Sequence, residues 1–171
     1  ATSPLLQEAI TLHLEEKKDH VLKLDGVFAA LGERAARKTS EATIALLYES
    51  HEIISNYKGY PVINAALIAA VQKIEHYEIA SHGCLRDWAM VLGQESVSAT
   101  LQIILDQDKA TNRTLTHLAR TSSNQEALNG DGMDLDRLDT EAPTHEPFQV
   151  ISENANTSRA TLDQLTAAAL M

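Results

Sequence analysis

The stretch NAALIAAVQKIEHYEIASHGCLRDWAMVLG, residues 64 to 93, decides the fold. Pro61 lies just before it, where a missing N–H suits the first turn of a helix, and Gly93 closes it as a C-terminal stop. No proline interrupts the run, so one long helix is expected from Pro61 to about Leu92. At 3.6 residues per turn, Glu75, Glu78 and His82 fall on the face that also carries Val71, Ile74 and Leu85. Three ionisable side chains therefore share a stripe patterned for burial. A buried carboxylate is unfavourable unless a cation or a donor compensates it, so this helix demands a partner for its acids.

Working outward, three more segments carry the same helical period. Ser3-Pro4 opens the first, whose apolar residues run Leu5, Ala9, Leu12, Val21, Leu24, Val27, Phe28 and Leu31 to Gly32. Glu16 and His20 are four residues apart on its apolar stripe, joined there by Lys23 as a possible countercharge. Ser40-Glu41 starts a second pattern through Ile44, Leu47, Ile53 and Ile54, ending near Gly59-Tyr60-Pro61. A last helix is expected from Ser96 to Ala119, with Asp108 near the face of Leu101, Ile104 and Leu115 and with Asp106 and Gln107 turned aside. Aromatic residues are only 4% of the chain while Ala and Leu abound, which favours helix over sheet. The expected fold is all-α, an antiparallel helical bundle.

Residues 1–121 are read as the helical domain and 122–171 as an acidic tail. Positions 122 to 155 are rich in Ser, Asn, Asp, Gly and Pro and offer little apolar surface to bury. Weak helical spacing returns over 158–170 through Leu162, Leu165 and Leu170. The string NGDGMDLDRLD, residues 129 to 139, lacks the acid spacing and closing Glu of a calcium loop. With 14 Lys and Arg against 24 Asp and Glu, the net charge of −10 repels phosphate backbones and anionic lipid, so nucleic acid and membrane are not expected partners and metal cations are. The longest apolar run, Ala65 to Val71, is far short of a bilayer span, and a lone Cys84 carries no disulfide signature; a cytoplasmic location is the default expectation.

Carboxylates converging from several helices, with imidazole beside them, are how helical bundles hold metal ions. Oxygen and imidazole donors suit iron and manganese, and a bridging carboxylate sets two ions at the spacing peroxide or dioxygen can span. The opposing reading takes Glu16-His20 and Glu78-His82 as i,i+4 surface pairs on helices turned another way, and for either pair alone that reading is the stronger. Their coincidence with Asp108 on three helices favours the metal. Other candidates read as structural: His13, His117 and His145 have no ligand partner at useful spacing, His76 has a surface or helix-interface role, His51 is a solvated polar group, Tyr77 and Trp88 are packing anchors, and Cys84 is a small buried hydrophobe.

The strings at residues 1–21 (HLEE followed by His20), 64–93 (EHYE within ALIAAVQKIEHYEIA) and 101–119 (LQIILDQDKATNRTLTHLA) resemble the YciE/YciF-type ferritin-like proteins associated with bacterial stress responses. The resemblance implies a ferritin-like bundle related to rubrerythrin, a dinuclear iron or manganese centre and possible peroxide or Fe(II) oxidation chemistry. It places the metal ligands at Glu16, His20, Glu75, Glu78 and Asp108, the last where the family usually carries the longer Glu. His82 occupies a slot more often aromatic. The family also has a helix ahead of the ATSP string that supplies a metal-facing Glu, so the chain is expected to lack that element. A homo-oligomer, dimer or larger, is expected. The alternative is a non-enzymatic structural or interaction protein on the same scaffold, with a lost or incomplete site.

Overall fold

The computed structural model describes residues 1–36 and 38–130, and the expected short helix at 158–170 and the string to Asp139 reach beyond them. Four long helices form: α1 (Pro4–Ala30), α2 (Glu41–Tyr57), α3 (Ile63–Val91) and α4 (Glu95–Leu118). Strands are absent among the described residues. Ser3 caps α1, its Oγ accepting from Leu6 N at 3.4 Å, and Ser40 caps α2 by accepting from Thr43 N at 3.3 Å. Gly93 takes φ of +69° between α3 and α4, a left-handed turn that favours glycine. The third helix opens at Ile63 instead of Pro61, because Tyr60 to Val62 are spent on the turn that reverses the chain.

Side-chain pairs fix the directions. His20 meets Gln107 and Glu16 meets Thr111 across α1 and α4, while His82 meets Asp108 and Gln72 meets Asn112 and Thr116 across α3 and α4. Both pairings are antiparallel, as is α2 against α3, where Tyr77 bonds Ser40 and Lys73 pairs with Glu49. Consequently α1 and α3 run parallel. Thr2 N donates to Asn64 Oδ1 at 2.8 Å at one end, and Val27 packs with Ala89 at the other. Two apolar layers separate out: Leu6, Ile68 and Leu115 toward the start of α1, and Val27, Ala89, Val97 and Leu101 toward its end. Polar side chains from α1, α3 and α4 fill the layer between them.

Residue 121, where the helical domain is expected to end, lies within helix. Helix continues through a π-helical turn, Ala119–Ser123, into a short α5 (Asn124–Asn129). Thr121 Oγ1 donates to the His117 carbonyl at 2.8 Å and Ser122 Oγ to the Leu118 carbonyl at 3.1 Å, so hydroxyls that read as loop formers in sequence are absorbed by the helix they follow. Three packing expectations on α3 also fail: Cys84 is exposed, Leu85 is 42% exposed and Trp88 is 62% exposed. They lie toward the C-terminal end of α3, past Tyr77, whose hydroxyl meets Ser40 at the start of α2.

Candidate metal centre

The polar middle layer is built from three helices. On α3, Glu75, Glu78 and His82 follow one another at i, i+3 and i+7 and so stay on one face. Facing them, α4 contributes Asp108. One oxygen from each of Glu75, Glu78 and Asp108 lies within 4.8 Å of the others. Glu75 is 0% exposed and Asp108 1%, so water screens neither charge.

The cation in their midst is Lys17 of α1. Its Nζ donates to Glu78 Oε2 and to Asp108 Oδ1, both at 2.7 Å, and stands 3.4 Å from Glu75 Oε1. Burial works against the Lys17 ammonium, yet the negative charges of Glu78, Asp108 and Glu75 together hold its pKa above the ordinary lysine value. Burial also raises the Glu78 carboxyl, although Lys17 opposes that rise. Asp108 is buried too, but the bonds from His82 Nδ1 to its Oδ2 at 2.7 Å and from Lys17 bring its pKa below the usual value.

Imidazoles ring this cluster. His13 Nε2 approaches Glu75 Oε1 at 3.0 Å, and His20, 4% exposed, places Nδ1 3.6 Å from Asp108 Oδ1 and Nε2 3.2 Å from Gln107 Oε1. Burial, and then the Lys17 charge, lower the His20 pKa and keep the ring neutral. His20 and His82 meet edge to face with centroids 6.4 Å apart. Hydrogen bonding is incomplete in this layer: His13 Nδ1, His20 Nδ1 and both oxygens of Glu75 are buried without a hydrogen-bond partner, although Glu75 Oε1 faces His13 and Lys17. An orphaned acceptor on a fully buried carboxylate is unfavourable, and a cation held there would compensate it.

Of the residues expected from sequence, the fold thus gathers Glu75, Glu78, Asp108 and His20, with His82 beside them. Glu16 stands apart: partly exposed, it accepts from Thr111 Oγ1 at 2.9 Å and reaches the cluster only through His13, whose Nδ1 is 4.0 Å away. Lys23 is not the countercharge, since it pairs with Asp19 on its own helix. His13, which has no ligand partner at useful spacing along its own helix, finds one across the bundle in Glu75 of α3. A signal for both missed residues was present: His13, Lys17 and His20 recur at i, i+4 and i+7, in phase with buried Leu6 and Val27.

The chain matches, over residues 1–128, a family model described as "Domain of unknown function (DUF892)". Protein YciF of Escherichia coli (strain K12) is 38% identical over 125 residues, covering 72% of this chain and 75% of that protein. The crystal structure of that E. coli stress protein superposes with a TM-score of 0.70 at 36% identity, over 73% of this chain and 79% of the other. A Rhodopseudomonas palustris protein, YcfI, designated a candidate structural protein, gives a TM-score of 0.65 at 35% identity, over 68% and 74% of the two chains.

Proposed function

We propose, from the premise that the chain belongs to the family described as Domain of unknown function (DUF892) and to its YciF-like stress proteins, that it binds iron or manganese in the polar layer between α1, α3 and α4. The observation that carries this reading is Glu75, a fully buried carboxylate with no hydrogen-bond partner on either oxygen, among three converging acids. Oxygen and imidazole donors fit hard to borderline divalent ions. Glu75, Glu78 and Asp108 would hold a first ion with His20 or His82 beside it. Glu75 Oε1 also faces His13, behind which lies Glu16, so Glu75, His13 and Glu16 would hold a second ion. A bound iron or manganese pair would supply redox chemistry toward peroxide or Fe(II). This chain's own residues hold the acids in place, exclude water from Glu75 and Asp108, and keep His20 neutral and able to donate an electron pair.

The test is Mn(II) binding followed by loss of the free-ion EPR signal, together with elemental analysis. Wild-type protein should take up close to two equivalents and Glu75→Gln should lose the tight sites. Absence of binding in wild type and in every variant that frees the acids would end the metal reading. A second reading rests on Lys17: an ammonium already within 2.7 Å of two of the acids neutralises part of the cluster and would suit a scaffold without metal. Under that reading the protein is structural, and Glu75→Gln changes stability alone.

A further inference from the structure

The geometry points to Lys17 as a tethered cation that a metal ion must displace in order to bind, so that the site exchanges one cation for another. The inference rests on the metal reading above and adds its regulation. Three observations carry it. Lys17 Nζ touches one oxygen of each of the three acids, at 2.7, 2.7 and 3.4 Å, so it stands at the point an ion shared by them would take. The ammonium does not complete the site, because Glu75 Oε2 remains buried without a partner. Finally, the stem of Lys17 is flexible and its side chain 23% exposed, so the head group has a route to water without any helix moving.

Two positive charges cannot share one carboxylate cluster at contact distance without strong repulsion. Metal entry therefore expels the Lys17 head group, and metal loss readmits it. The metal-free protein is thereby spared the mutual repulsion of three converging acids, two of them buried, and affinity is lowered by whatever the resident ammonium contributes. An ion scarce in the cell would leave the lysine in place, and an abundant one would replace it.

The native protein reports the exchange directly. Lysine labelling with an amine-reactive reagent, read by peptide mass spectrometry, should show Lys17 protected in chelator-treated protein and labelled at least about tenfold faster once Mn(II) is bound, with exposed Lys18 unchanged. Mn(II) binding that leaves Lys17 protected overturns the inference while leaving the metal reading intact. Lys17→Gln should bind Mn(II) at least about tenfold more tightly than wild type, and its melting temperature should rise more on Mn(II) addition. Equal affinity in the two proteins overturns the inference. Failure of both proteins to bind overturns the metal reading as well. If Lys17→Gln does not fold without metal, refolding it with and without Mn(II) decides: recovery only with the ion supports displacement, and recovery with neither refutes it.

Discussion

Substituting Asp108→Asn tests the electrostatics of the middle layer at its best-connected residue. The carboxylate accepts two contacts of 2.7 Å, from Lys17 Nζ and His82 Nδ1, and its side chain is fully buried. Hydrogen bonds involving a charged group contribute about 1.5–3 kcal/mol each, and breaking a buried ion pair from one side costs about 3–5 kcal/mol. Asn preserves the volume and one acceptor but removes the charge, so a loss of about 3 kcal/mol is expected in metal-free protein. Urea unfolding in chelator, with a slope of about 1–3 kcal/mol per molar, would then show a midpoint lowered by about 1–3 M. Glu15→Gln is the internal control. Its pair with Lys18 is also 2.7 Å long, but both side chains are more than half exposed, so its loss should stay below about 1 kcal/mol. Equal losses at the two sites, or an Asp108→Asn variant as stable as wild type, would refute the view that burial is what gives these contacts their strength.

Three other outcomes are expected. Because its partners hold Lys17 above its ordinary value of 10.5, the stability it contributes is complete below that pH and lost as pH rises through the raised folded value; Lys17→Met should abolish this alkaline loss in pH-resolved urea melts. His20 is shifted the other way, so its contribution is complete above its ordinary value of 6.5 and lost as pH falls toward the lowered folded value; His20→Gln should flatten that limb. Leu101→Ala opens a cavity beside Val27, Ala89 and Val97 and should cost about 2–5 kcal/mol by urea unfolding while leaving Mn(II) stoichiometry unchanged.

The helices were legible because their signals are local. Ser3, Ser40 and Gly93 mark boundaries through bonds or dihedrals formed within a few residues, and each does in the structure what its chemistry predicts. Glu75, Glu78 and Asp108 were legible as a group because charge on an apolar stripe is conspicuous wherever the partner lies. The phase of α1 was not. Exposed Leu5, Leu12 and Val21 drew the expected stripe toward Glu16, whereas the buried one runs through Leu6, His13, Lys17, His20 and Val27. Which of two overlapping stripes faces inward depends on what the neighbouring helices offer, and α3 and α4 offer carboxylates. A lysine beside three acids is at home inside; read alone, it belongs outside.

The parallel course of α1 and α3 has a consequence for how the gene can change length. Thr2 with Asn64, His13 with Glu75, Lys17 with Glu78 and Val27 with Ala89 match at a nearly constant offset, 62 or 61 positions, along the full extent of both rods. Inserting one codon within either rod would turn everything beyond it by about 100° and slide it about 1.5 Å, stripping Lys17 or Glu75 from its counterpart in a single step. Codons added between Leu31 and Ser40 would disturb no such match. Insertions and deletions should therefore be tolerated at the connections and rejected inside the rods, as though the two helices were the graduated edges of a slide rule.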